Sequence, residues 1–219
     1  MPRALFQKTG NAVYISHLDL MRLFQRAFKR AGLPLTHTQG FSPRPSVSIA
    51  LPMSVGVESC CELLDFDLEG EAVSCEEIKE RLNGALVEGV SVLEVYPECR
   101  KIRDIAFLDC TVTLEYDRGI EEAGLDALCA LFKSPSVTVQ KKGKNGITDQ
   151  DIIPLIRKIK VEREDIHTVL INARVCCQNP ALNPAQLVAA IESYLPDQKP
   201  DYSHIIRREI YDQNEMIFR

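Results

Sequence analysis

Residues 14–62 constrain this chain more than any other stretch, because they hold a helix with two unlike faces and the stiff loop that follows it. Ser16 reads as a helix N-cap, and Asp19, three residues on, is placed to return the capping contact. The helix is expected from His17 to Ala31, stopping at Gly32 with Pro34 beyond. At about 100° per residue, Leu20, Leu23, Phe24, Ala27, Phe28 and Ala31 share one side, with His17 and Met21 near its edges. Asp19, Arg22, Arg26, Lys29 and Arg30 share the other. Such a helix packs on a sheet and turns a basic ridge outward.

The segments around it read as strands. Residues 3–8 and 12–15 are extended, punctuated by Thr9, Gly10 and Asn11. A short strand spans 35–38, a loop 39–45 and an alternating strand 46–51. A second loop spans 52–59, with Gly56 available for a positive φ. Residues 60–68 form a strand, 75–86 an amphipathic helix and 90–96 a strand. The order is β-α-β-β-α-β, the pattern of a ferredoxin-like unit with four antiparallel strands and helices on one face.

Residues 97–104 are polar and turn-rich, and the pattern then restarts. A strand (106–116), a helix (120–132) and a strand (137–141) lead to the basic loop KKGKNG at 141–146. Residues 149–153 suggest a short helix interrupted by Pro154. Residues 155–162 and 167–177 read as a hairpin. Asn183 caps a helix over 184–195 with Pro184 at its first position, and 203–212 is a last strand. The expected fold is therefore α+β: tandem ferredoxin-like units with antiparallel sheets, one lobe over 1–98 and another over 105–219.

Charge is distributed unevenly. Residues 1–48 carry seven Lys/Arg against one acid, Asp19, whereas the remainder carries 19 basic residues against 30 acidic. A basic head on an acidic body suits an anionic ligand or partner, or a face that docks an acidic surface. No apolar run approaches the roughly 18 residues that span a bilayer, and the first ten residues lack a signal-peptide pattern, so a cytoplasmic protein with no membrane partner is expected. The eight cysteines show no C-x-x-C and no metal-site spacing. They read as buried free thiols, with no metal site. The absence of G-x-x-x-x-G-K-[ST], G-x-G-x-x-G and a nucleophile elbow argues against a self-contained NTPase, dehydrogenase or serine hydrolase.

Several side chains are candidates for a site. His17 follows the N-cap, where the helix dipole favours neutral imidazole, so it is a capping-turn residue, a ligand contact or a general acid/base. In GFSPRPS, Pro43 and Pro45 restrict the backbone around Arg44, so the guanidinium is presented on a stiff segment. The competing role for Arg44 is an ion pair with Asp19 or Glu62. Phe41, beside Ser42, either stacks on a base or packs beneath the loop. Ser59 lies in the second loop and Glu62 in the strand that follows, Glu62 being a salt-bridge partner or a site residue. His37, on the short strand, can face a ligand. Arg22, Arg26 and Arg30 supply positive charge. The basic loop at 141–146 is a solvated tip or a phosphate contact.

Four pieces, YISHLDLMR, RAFKRAGLP, GFSPRPSVSIALP and VGVES, give residues 6–62 a resemblance to the radical-SAM-linked family, domain of unknown function 2344. The resemblance fits the length of the chain and is looser in its second half. It implies a separate radical-SAM partner protein with a cobalamin-binding region, and often a nearby RNase E/G-type gene. The iron–sulfur cluster, SAM and cobalamin would belong to that partner, since this chain lacks C-x-x-x-C-x-x-C. The tandem plan with a basic first helix is also similar in topology to the Cas6-type RNA endonucleases, which cleave without metal, often using a histidine from the first helix region.

The leading expectation is a non-catalytic accessory module that binds RNA or another anion in one cleft near His17, Arg22, Arg26, Arg44 and Ser59, for a role in RNA modification or processing. The alternatives are a metal-independent RNA endonuclease with His17 as general acid/base, and a protein–protein adaptor.

Overall fold

The computed structural model describes residues 1–70, 72–97, 100–143 and 146–219, with residues 142 and 143 as backbone only. The chain is a mixed α/β protein with antiparallel strand pairs and, among the described residues, four α-helices. It divides into two compact units, Met1–Asp104 with Ile217–Arg219, and Ile105–Met216. No helix among the described residues is long and apolar enough to cross a membrane.

The first unit contains β1 (Arg3–Lys8), α1 (His17–Arg30), β2 (Val47–Ile49), β3 (Val57–Phe66), α2 (Cys75–Asn83) and β4 (Val90–Tyr96). Its strands lie in the order β4-β1-β3-β2, each pair antiparallel. The α1 N-terminus forms as the sequence predicts: the Ser16 hydroxyl accepts from the Asp19 N–H at 3.2 Å. Asp19 returns the contact differently from a capping box. Its carboxylate accepts from the Ser16 hydroxyl at 2.8 Å. Leu20, Phe24, Ala27 and Phe28 are buried, whereas Leu23 and Ala31 are only half-buried at the margins of the apolar face. Phe24 meets Phe6 edge-on with centroids 4.8 Å apart, and Phe28 meets Phe66 at 4.9 Å. Two aromatic pairs one helical turn apart therefore set both the position and the direction of α1 over β1 and β3.

The other face of β1 carries Arg3, which is buried and donates twice to Asp65, at 2.6 and 3.0 Å. Its guanidinium and that of Arg100 lie 5.2 and 4.5 Å from the ring centroid of buried Phe218. These cation–π contacts join the last three residues to this unit.

Two expectations here are corrected. Residues 12–15 are not extended. Gly10–Tyr14 is a short 3-10 helix, because the Lys8 ammonium and the Gly56 N–H gather the carbonyls of Val13 and Ile15 inward. The Thr9 N–H donates to the Gly89 carbonyl at 2.8 Å, an approach open only to glycine: a Cβ at Gly89 would stand 2.4 Å from the Thr9 oxygen. Residues 35–38 form only isolated bridges, Leu35 to Leu68 and His37 to Pro45, instead of a strand, since Pro34 and Pro45 withhold ladder donors.

The second unit contains β5 (Ile105–Glu115), α3 (Glu122–Leu131), β6 (Thr138–Gly143), β7 (Gly146–Asp151), β8 (Ile156–Arg163), β9 (Thr168–Cys176), α4 (Ala185–Tyr194) and β10 (Tyr202–Asp212). Its strands lie in the order β10-β5-β9-β8, with β6 and β7 paired as a separate hairpin. The expected helix at 149–153 is instead the end of β7. The Asp151 carboxylate accepts from the N–H groups of Val137 and Ile153, which fixes the chain extended until the 3-10 turn Ile153–Leu155. Lys144 and Asn145 of the basic loop lie outside the described residues, as does Cys99. Asn183 caps as expected, accepting from the Ala185 N–H at 3.1 Å, although the helix begins one residue after Pro184.

The seven described cysteines are free. Only Cys61 and Cys110 are buried, so the expectation of buried thiols holds for two and fails for five that are half-buried at strand and helix margins. Burial pushes the Cys110 thiol up to about 12, so it is not a thiolate at neutral pH.

Candidate functional site

The loop that leaves α1 is built from its backbone outward. Gly32, at φ +67°, ends the helix, and the Leu33 N–H returns to the Phe28 carbonyl at 3.0 Å. Thr36 is bound on both sides. Its N–H and hydroxyl donate to Asp67 at 3.0 and 3.1 Å, and its carbonyl accepts from the Ser46 N–H at 2.7 Å. Thr38 closes the next rung, donating its N–H to the Arg44 carbonyl at 2.8 Å while its hydroxyl accepts from the Arg44 N–H at 3.0 Å. The one N–H between Pro43 and Pro45 is thereby satisfied within the loop.

This pinned stem carries a tip over residues 39–43 that is exposed throughout. Phe41 is 108% exposed, which removes the alternative in which it packs beneath the loop. Ser42 and Arg44 are exposed as well, and Arg44 makes no ion pair among the described residues. Its expected pairing with Asp19 or Glu62 does not form, because Asp19 takes Arg22 at 2.9 Å and Glu62 is inside the fold.

Beside the stem lies a depression of about 450 Å³, lined by Phe28, Lys29, Leu33, Leu35, His37 and Glu69 among others. Its floor is apolar, and its polar groups stand at the mouth. His37 Nδ1 is 3.8 Å from Glu69 Oε1. The basic ridge divides here. Arg22 is neutralised by Asp19, whose carboxyl the Ser16 hydrogen bond and then Arg22 hold below its usual range. Arg30 donates to the Ala85 carbonyl. Arg26 adds its charge to that of Arg22 near Asp19, whereas Lys29 and Arg44 make no ion pair among the described residues.

The remaining candidates are elsewhere. Ser59 and Glu62 are fully buried, and the Ser59 hydroxyl donates to Glu62 Oε1 at 2.7 Å. Lys8, opposite Ser59 in the β1–β3 register, is also buried and donates to Val13 and Ile15 at 3.0 and 3.1 Å. His17 is half-buried at the start of α1, its Nδ1 shielded from solvent without a hydrogen-bond partner among the described residues. No sequence motif marks Lys8, yet strand parity does: Ala4 and Phe6 fill the α1 side, and Lys8 is the next position on that side.

The aromatic pairs show that α1 runs from the Ser59 end of β3 towards Phe66. Its 14 residues put the helix ends about 20 Å apart at roughly 1.5 Å per residue. His17, Ser59 and Glu62 therefore lie at one end of this unit, and His37, Phe41, Ser42 and Arg44 at the other. The single cleft expected for His17, Arg22, Arg26, Arg44 and Ser59 does not form. Lys29 goes with the hairpin, Arg26 stands mid-helix within electrostatic reach of Asp19, and Ser59 is inaccessible.

Among solved structures, the chain is similar to one in a crystal structure of a Cbf5-Nop10-Gar1 complex, with TM-score 0.49 and 9% identity over 96% of this chain and 48% of that chain. It thus spans about half the length of that protein. It is also similar to a chain described as an unknown protein from Galdieria sulphuraria, with TM-score 0.27 and 12% identity over 96% of both chains. No curated protein matches. The match that covers most of the motif-bearing sequence is a family model over residues 2–184, and by it this chain belongs to the family described as an uncharacterized protein conserved in bacteria, DUF2344.

Proposed function

We propose that this chain is a binding module that holds single-stranded RNA at the hairpin following α1. The observation that carries the reading is Phe41, a fully exposed aromatic on a hydrogen-bonded stem, with Arg44 beside it. Base–aromatic stacking and phosphate neutralisation are the two contributions that single-strand binding combines. Lys29, exposed on α1 beside the stem, extends the positive charge from the tip, and Arg26, also exposed, continues it along the helix within electrostatic reach of Asp19. The shared strand orders β4-β1-β3-β2 and β10-β5-β9-β8 support reading both units as ferredoxin-like, a plan in which loops and sheet faces are available for ligands.

In this reading the chain is an accessory protein, and a radical-SAM partner, expected from the family resemblance, carries the cluster, SAM and cobalamin. The same exposed Phe41 also suits the adaptor alternative, in which a protein covers it. Cleavage at His17 gains no support, since His17 stands at the opposite end of α1 from the hairpin.

The test is anisotropy of labelled single-stranded RNA against the full chain from low to high salt, with Phe41→Ala/Arg44→Ala alongside. The reading expects salt-sensitive binding that the double variant loses. Absence of binding at low salt, or equal binding by the variant, overturns it. Retention of the radical-SAM partner in high salt without nucleic acid would then favour the adaptor.

A further inference from the structure

The second unit carries a charged trough unrelated to the hairpin. Val169, Ile171, Ala173 and Val175 of β9 face inward, so Leu170, Asn172 and Arg174 lie on the opposite, accessible face. Across the strands Asp109 pairs with Arg174, Thr111 with Asn172, and Lys158 with Arg174. Between these pairs is a hollow of about 230 Å³, lined by Asp109, Thr111, Lys158, Asn172, Arg174 and Arg208 among others.

Its floor is rigid. Arg174 grips Asp109 through two hydrogen bonds of 2.7 and 2.8 Å, and the Thr111 hydroxyl donates to the Asn172 side chain at 2.9 Å. Its rim is cationic. Arg208 Nε donates to the Thr111 hydroxyl at 3.2 Å, and its terminal amino groups donate to nothing among the described residues. Three cations line the hollow against one carboxylate, that of Asp109.

Glu215 stands at the edge of this cluster. Its carboxylate accepts from Arg157 at 2.9 Å, from Arg174 at 2.7 Å and from Lys158. It is also the one non-glycine residue with positive φ among the described residues, at +58°. It takes that conformation in a hydrogen-bonded turn, its N–H donating to the Asp212 carbonyl at 3.1 Å, and the turn holds its carboxylate against cations that also line the open hollow. Among the side chains that line the hollow, Lys158, Arg174 and Arg208 face the single carboxylate of Asp109, while Glu215 and Glu162, which accepts from the Asn172 side chain at 3.5 Å, stand at its margins.

We infer that this hollow is a binding site for a phosphate-class oxyanion and that Glu215 is its internal competitor, sharing Lys158 and Arg174 with the ligand. Arg208 supplies the donors that no internal group uses. Planar guanidinium groups suit such a ligand because they donate two parallel hydrogen bonds to it. The site lies in the second unit and does not depend on RNA binding at the hairpin.

Calorimetric titration of the full chain with inorganic pyrophosphate, and separately with a nucleoside diphosphate, tests this. Arg208→Ala is expected to weaken binding about tenfold, the loss of one charge-assisted contact. Glu215→Gln, with folding checked by circular dichroism, is expected to tighten it several-fold by releasing Lys158 and Arg174. Tighter binding of the nucleotide assigns the oxyanion to a nucleotide, and equal binding assigns it to free phosphate. Binding seen only in Glu215→Gln supports the competitor role. Failure of folded Glu215→Gln to bind either probe overturns the proposal, as does equal binding by Arg208→Ala.

Discussion

The two ends of the first unit make the most informative comparison in the molecule. Both carry polar and charged side chains from one short stretch of sequence. At the β3 entry, the Ser59 hydroxyl is spent on Glu62 and the Lys8 ammonium on two carbonyls, all of it buried. At the hairpin, the Thr36 main chain pairs with Asp67 and Ser46 and the Thr38 hydroxyl takes the Arg44 N–H, so Phe41 and the Arg44 side chain are left facing water. What separates scaffold from candidate site is therefore which groups satisfy the main chain. Where large side chains do that work they are consumed; where the main chain itself and the short Thr38 do it, the larger neighbours stay available.

The largest expected effect lies at the buried end. Lys8→Met removes the donor from the Val13 and Ile15 carbonyls and should lower stability by about 3 kcal/mol in urea denaturation. RNA affinity of the folded fraction should be unchanged. A loss below about 1 kcal/mol, the worth of an ordinary neutral hydrogen bond, would break the contrast.

Next comes Phe41→Ala, expected to weaken RNA binding about tenfold by removing one stacking platform. Its denaturation midpoint should match wild type, because an exposed side chain contributes within about 0.5 kcal/mol. A large stability loss would mean that Phe41 is covered in solution.

The smallest effects come from the ridge between the two ends. Asp19→Asn frees Arg22 from its ion pair and should strengthen RNA binding about twofold, with a slightly steeper salt dependence. The same residue gives a pH signature. Its carboxyl is held below the ordinary aspartate range, chiefly by the Ser16 hydroxyl and then Arg22, so its stabilising contribution is present above that range and is lost as pH falls through the lowered value. The Asn variant should lack that part of the acid limb. The difference should be small and fade with salt, because Asp19 and Arg22 are both exposed.

Much of this arrangement is legible in the sequence. The faces of α1 follow from its apolar spacing, and its start from Ser16 and Asp19. The two prolines around Arg44 announce a stiff loop. What periodicity cannot supply is the direction in which α1 crosses the strands. That direction is fixed by Phe24 on Phe6 and Phe28 on Phe66, contacts between residues far apart in the chain. Without it, His17 and Arg44 read as neighbours across the sheet. The 3-10 helix at Gly10–Tyr14 was equally hidden, since Lys8, five residues before Val13, provides the contact that forms it. The end of β7 looks helical by local pattern, and its pairing with β6, together with the Asp151 bonds to Val137 and Ile153, keeps it extended.

The most direct test of the central claim is a backbone amide chemical-shift titration of the isotope-labelled chain with short single-stranded RNA at low salt. The account predicts shifts concentrated at residues 25–33 and 36–46, with residues 8, 15–19 and 57–62 undisturbed. Shifts concentrated at His17, Ser59 and Glu62, with Phe41 and Arg44 silent, would contradict it.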